Sequence, residues 1–343
     1  MKYPVAFGGS MKKIYRRLTA VFMLIAMLAL VSCSGGVSPI KASGDDLNIV
    51  ANVLGKPIYL EEVRYLTHNF RLDMEAKYGE DISEHEAELV EKIENAMCQN
   101  PVLLSLCDEY GIDIEDKETE NYVKDYINDF AEQLGGKEEN TKQLEENGIT
   151  DHHLRYLISI ESVKERLRQA MLADGSIDDS DESARDVIES DDFIRTLHVY
   201  IGNDAGDDIE ANRERAEEVL KKLDGGEPFN RMIGRYSEDV YMTTTDGYYF
   251  MRGEYEKAYE DAAFSLAENE YSGVIEGENG FYIILRLPKE SEYIEKNFES
   301  LKDRYLFVMF EKIIDERAVS AEIEYTEYGK TLDFANIGLS EAE

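Results

Sequence analysis

Tryptophan is absent from this chain of 343 residues, proline occurs 6 times and cysteine 3 times. Basic side chains are scarce as well: 37 Lys and Arg stand against 73 Asp and Glu, a formal net charge of -36. A field of that sign repels nucleic acid and anionic lipid, so DNA and RNA are excluded as partners. The plain reading of the acidity is solubility; cation binding and the steering of basic clients are the other two. Three cysteines supply no paired framework. Cys98 and Cys107 lie nine residues apart in a helical pattern, about 13 Å along one continuous helix and on opposite faces. A disulfide needs its Cα atoms within about 7 Å, so both read as core thiols unless Asn100-Pro101 breaks the helix and folds it back. The histidines lack metal-ligand spacing with Cys or carboxylates, and His68, His85, His152 and His153 are expected at the surface.

What basic charge there is gathers at the start. Residues 1–32 hold Lys2, Lys12, Lys13, Arg16 and Arg17 and no acidic side chain, and the rest of the chain carries a formal charge of -41. Met11 opens a complete leader: a basic MKKIYRR, an apolar run from Leu18 to Val31, then Leu30-Val31-Ser32-Cys33. The run is short for a membrane span and fits an export signal. The tetrapeptide resembles a bacterial lipobox, which implies lipid attachment at Cys33, an acyl anchor in the membrane and a start at Met11. The other readings are an ordinary secreted protein or an uncleaved anchor. On this reading 1–32 is the signal peptide and 33–46 a polar tether.

From Leu47 to Leu66 the pattern is a short strand, a turn at Gly55-Lys56-Pro57 and a helix. Apolar residues recur at helical spacing from Glu84 to Tyr110, and again at Tyr122, Tyr126, Ile127, Phe130 and Leu134 up to Gly135-Gly136. Thr150 is placed to cap a further helix running through Leu154, Ile158, Val163, Leu167 and Met171. Residues 47–190 therefore read as a helical domain of about five helices. Its aromatic stripe is core, with an apolar client-binding groove as the alternative. Asp174 to Ser190 reads as an acidic linker or a frayed helix.

The stretch from Arg195 to Pro288 is the most specific. It holds a strand RTLHVYI, a helix leading to Tyr236-Ser237-Glu238-Asp239, the segment Tyr259–Leu266 and a last strand with Gly280-Phe281-Tyr282-Ile283-Ile284. In that order and spacing it resembles the parvulin family of peptidyl-prolyl cis-trans isomerases. With the preceding strand, turn and helix, the chain resembles the SurA-type and PrsA-type extracytoplasmic chaperones. The resemblance implies an α+β fold in which a parvulin domain, a small antiparallel sheet surrounded by helices, is inserted at 191–290 before a C-terminal helix. Residues 291–334 would then be a helix and short strand (Ile323-Glu324-Tyr325) packing back on the helical domain, and 335–343 a tail.

The same resemblance implies the site. His198 falls on the first family histidine, Asp239 on the central Cys or Asp, and Tyr282 on the second histidine. Gly247, Tyr255 and Tyr259 take the places of the Leu, Met and Phe of the proline pocket, and Thr244-Thr245-Asp246 replaces a glycine-rich turn. Four of six positions thus depart from the pattern, although two tyrosines keep an aromatic floor. A second reading of His198 is a buried histidine that orders the sheet through Asp239. Rotation about an X-Pro bond breaks no covalent bond and needs no metal, nucleotide or other cofactor. The implied partners are unfolded or nascent exported polypeptides with X-Pro bonds, and the membrane through the acyl anchor; a homodimer stays open. Two functions are carried forward, a lipid-anchored foldase with isomerase activity and a non-catalytic holdase with a degenerate parvulin domain. A solute-binding or adhesin lipoprotein leaves too little chain for its ligand domain.

Overall fold

The computed structural model describes residues 45–133, 144, 149–203, 208–242 and 246–337. The leader, Cys33, most of the tether, Thr244-Thr245 and the end of the tail lie outside the described residues. The chain divides into two compact units. One holds Ile177–Lys312, and the other combines Glu80–Ser176 with preceding residues and with those from 313 onward. Among the described residues no helix is long and apolar enough to cross a membrane.

The N-terminal unit opens with an antiparallel hairpin of β1 (Ile49–Val53) and β2 (Lys56–Tyr59). Its turn is Leu54-Gly55, both at positive φ, the two-residue geometry that matches the twist of paired strands. This corrects the expected turn at Gly55-Lys56-Pro57: Lys56 and Pro57 are strand residues. Pro57 is tolerated because β2 is an edge strand of its sheet. Helix α1 (Leu60–Tyr78) follows directly, then α2 (Glu86–Met97), α3 (Gln99–Glu109), α4 (Lys117–Gln133) and α5 (Asp151–Ala173). The helical run to Tyr110 breaks at Cys98, with Pro101 in the first turn of α3, where its missing N–H costs nothing. Cys98 and Cys107 are both buried and free. Thr150 caps α5 by accepting the His153 N–H at 2.9 Å. Tyr122, Tyr126 and Ile127 pack against a core of Val123, Phe130, Leu154 and Ile158, so the aromatic stripe is interior.

Two histidines expected at the surface are buried, His68 at 7% and His153 at 2% exposure. His153 sits between Tyr65 and Tyr156, with ring centroids at 5.0 and 6.0 Å. Burial, with His152 next to it, pushes its imidazole down to about 3, so it packs as a neutral ring. His152 hydrogen-bonds Glu61, which also accepts from Thr150 at 2.5 Å.

In the inserted unit a short helix α6 (Asp181–Glu189), capped by Ser180, stands where a linker or frayed helix was expected. It leads to β3 (Phe193–Gly202), α7 (Ile209–Asp224), α8 (Phe229–Tyr236), β4 (Tyr248–Met251), α9 (Lys257–Ser265), β5 (Ile275–Glu276) and β6 (Gly280–Leu287). The four strands form an antiparallel sheet in the order β4-β3-β6-β5. Strand β3 is central and buried along most of its length because helices cover both faces. Leu197, Val199 and Ile201 meet Ala216 and Val219 of α7 and Met232 of α8; Ile194 meets Tyr259 and Ala263 of α9. Side chains alternate along a strand, so Thr196, His198 and Tyr200 share the α9 face with Ile194. The chain continues into α10 (Ser291–Val319) and β7 (Glu324–Tyr325), which pairs with β1 through Ala51↔Tyr325. Thr67 donates to the Phe334 carbonyl at 3.1 Å, tying the residues after β7 to α1. The fold is α+β.

Candidate active site

Strand pairing builds the site from residues far apart in sequence. Thr196 stands opposite Tyr248 of β4, and Tyr200 opposite Tyr282 of β6, so all four lie on the face that carries His198. Asp239 arrives from the loop after α8. That loop is tied to the end of β3 by the Tyr200 N–H to Ser237 Oγ (3.1 Å), the Glu238 N–H to the Tyr200 carbonyl (2.8 Å) and the Gly202 N–H to the Glu238 carboxylate (2.7 Å). Tyr255 is held by Glu260, whose Oε1 accepts the N–H groups of Gly253, Glu254 and Tyr255 at 2.7 to 2.9 Å.

His198 is 3% exposed and uses both ring nitrogens. Nε2 donates to Asp239 Oδ2 at 3.0 Å, and Nδ1 lies 3.0 Å from the Tyr259 hydroxyl. The Thr196 hydroxyl is 2.9 Å from that same oxygen, and the Tyr248 hydroxyl donates to Asp239 Oδ2 at 2.8 Å. One proton arrangement satisfies the chain with a neutral imidazole: Thr196 donates to Tyr259, Tyr259 to Nδ1, and Nε2–H and Tyr248 to the carboxylate. Burial alone would raise the Asp239 carboxyl. Hydrogen bonds from His198, the Tyr241 N–H and Tyr248 outweigh it and bring the carboxyl down to about 2. Asp239 is therefore an anion at neutral pH. The hydroxyls of Tyr248, Tyr259 and Tyr282 are all pushed up, by burial first, and stay protonated donors.

The aromatic rings close around this network. Tyr282 stands edge-on to His198 (5.5 Å) and to Tyr259 (5.1 Å) and lies against Tyr200 at 4.8 Å. Tyr255 stacks on Tyr259 at 4.9 Å. His198, Asp239, Tyr255, Tyr259 and Tyr282 are thus brought into one cluster. Tyr259 is fully buried and forms its floor, while Tyr248, Tyr255 and Tyr282 are half-buried and line it. Gly247 adds no wall. Its φ is +68°, and a Cβ there would come within 2.4 Å of the Thr196 carbonyl, so it serves as the tight entry to β4. Thr196, Tyr200 and Tyr248 went unrecognised in the sequence. Alternation from His198 points to Thr196 and Tyr200, but Tyr248 joins only through the register of β4 on β3.

Comparison with known proteins gives this unit its class. Residues 186–288 match the model of the PPIC-type PPIase domain, and 11–146 match the SurA-like N-terminal domain. The chain combines a SurA-like N-terminal domain with a parvulin-type isomerase domain. Similar proteins include the foldase protein PrsA of Staphylococcus aureus (strain bovine RF122 / ET3-1) and that of strain Newman, each 25% identical over 232 residues. In both cases the match spans 66% of this chain and 66% of the relative's length. Among solved structures, PrsA from Streptococcus pneumoniae aligns at a TM-score of 0.37 with 20% identity, covering 73% of this chain and 94% of that one.

Proposed function

We propose that the chain is an extracytoplasmic foldase that isomerises X-Pro bonds in unfolded exported polypeptides, held at the membrane by a lipid on Cys33. The observation that carries the reading is the His198–Asp239–Tyr248 network beneath a half-buried tyrosine cluster, inside a PPIC-type domain. Rotation about the prolyl bond meets a barrier of about 18–20 kcal/mol, set by amide conjugation. A water-poor aromatic floor accepts the proline ring and strips solvent from the imide, and the loss of solvent favours the twisted, less polar state in which conjugation is lost. His198 and Asp239 act as positioning residues: they fix Tyr259 and Tyr248. Tyr282 fills the place of the second histidine, with Tyr255 and Tyr259 as the pocket floor and Gly247 as its backbone rim. The exposed apolar residues Val240 (84%) and Tyr241, next to Asp239, suit contact with an unfolded client.

A second reading, a holdase without turnover, is favoured by one observation: His198 is buried with both nitrogens already engaged. Cis/trans exchange of an X-Pro peptide, followed by NMR with wild type and Asp239→Ala, decides between them. Acceleration by wild type that Asp239→Ala loses supports the isomerase. Exchange no faster than in buffer, with aggregation of an unfolded client still suppressed, leaves the holdase. The anchor is tested by Cys33→Ser, which is expected to release the protein from membranes.

A further inference from the structure

We propose that Glu256, fixed at the hydroxyl of Tyr282, selects a cationic residue, Lys or Arg, immediately before the proline. The inference deepens the isomerase reading of this site and rests on it. Glu256 precedes α9 and is half-buried. Its carboxylate accepts the Glu278 backbone N–H and hydrogen-bonds the Tyr282 hydroxyl, so it is held at two points by neutral groups. Among the described residues no Lys or Arg lies within ion-pair distance of it; the adjacent Lys257 pairs with Asp261 instead. Asp239, at the other side of the same aromatic cluster, is likewise held by His198, Tyr248 and a backbone N–H, with no Lys or Arg.

Other carboxylates of this unit show the contrast. Glu238 pairs with Arg215 at 2.7 Å, Glu276 with Arg213 at 2.5 Å and Glu254 with Arg304 at 2.6 Å. The two carboxylates that flank the tyrosine cluster are held by neutral donors, as is Glu260. Between them the half-buried rings of Tyr200 and Tyr282 lie 4.8 Å apart at 30° and offer π faces, which attract cations. An ammonium or guanidinium beside those rings and against Glu256 completes the charge balance, whereas an acidic side chain there meets a fixed anion. The chain's net charge of -36 draws basic segments toward the site from a distance.

The test uses the intact protein and a peptide series Ac-Ala-X-Pro-Phe with X = Lys, Gln or Glu, measuring exchange rate and peptide Kd by NMR. Exposed ion pairing and cation–π contact together give roughly a fivefold advantage to Lys over Glu. That ratio is expected to fall toward one in Glu256→Gln, and in wild type at high salt. Tyr282→Phe, which removes one of the two points holding Glu256, is expected to lower it part-way and stands in if Glu256→Gln does not fold. Equal behaviour of the Lys and Glu peptides with wild type overturns the proposal, as does a preference that survives Glu256→Gln. If no peptide exchanges faster than in buffer, the isomerase reading fails separately, and the Kd series still decides the selectivity.

Discussion

The two faces of the four-stranded sheet are made by alternate residues of the same strands and differ in kind. Toward α7 and α8 the sheet presents an apolar patch of Leu197, Val199, Ile201, Phe281 and Ile283. Toward α9 it presents Thr196, His198, Tyr200, Tyr248 and Tyr282, each with a hydroxyl or ring nitrogen. The first face needs only shape and removal from water. The second needs every polar group satisfied, because an orphaned buried donor or acceptor costs about 1–3 kcal/mol. One face holds the unit together and the other carries a network that must be complete to exist at all.

The largest expected effect tests the aliphatic face. Phe281 is fully buried there, and Phe281→Ala should lower unfolding stability by about 3–5 kcal/mol in a denaturant titration. A loss below about 1 kcal/mol would mean that this face is not what holds the unit. On the other face, His198→Ala removes the link between Tyr259 and Asp239. X-Pro exchange should drop at least tenfold, on the order of 1.4 kcal/mol in barrier, while stability falls by about 1–3 kcal/mol. Stability loss with unchanged exchange would reduce the network to a structural role.

The acid response separates the faces further. The Asp239 carboxyl is lowered in the folded state from an ordinary value near 3.8 to about 2. Its contribution is therefore fully present above about pH 4 and is lost as pH falls through 2. Asp239→Asn should flatten unfolding free energy across that window, whereas aliphatic-face variants keep the slope. The smallest effect belongs to Tyr248→Phe, which removes one hydroxyl from Asp239: about 1 kcal/mol of stability, and a carboxyl that titrates higher by NMR.

Much of the inserted unit was legible beforehand. The helix Phe229–Tyr236 and the strands around Leu197 and Phe281 stand where the family resemblance placed them. His198, Asp239, Tyr259 and Tyr282 were legible only through the family resemblance. Tyr248 was not legible, because strand register sets it opposite Thr196 and the loop after α8 brings Asp239 to its hydroxyl. The hairpin was misread at Lys56 and Pro57 because a proline signals a turn unless one knows that its strand is an edge. His68 and His153 were misplaced for a related reason: an imidazole is buried or exposed according to what packs on it, and Tyr65 and Tyr156 come from two different helices.

The sequence by itself determined the acidic field, the order of helices and strands, the cap at Thr150 and the alternation that gives the sheet two unlike faces. These depend on composition or on neighbours within a few residues. Tertiary structure alone decided that Tyr248 and His198 converge on one carboxylate, that Gly247 must lack a side chain, and that Glu256 meets Tyr282 with no Lys or Arg beside it. Those facts depend on distances between segments, which register and packing set.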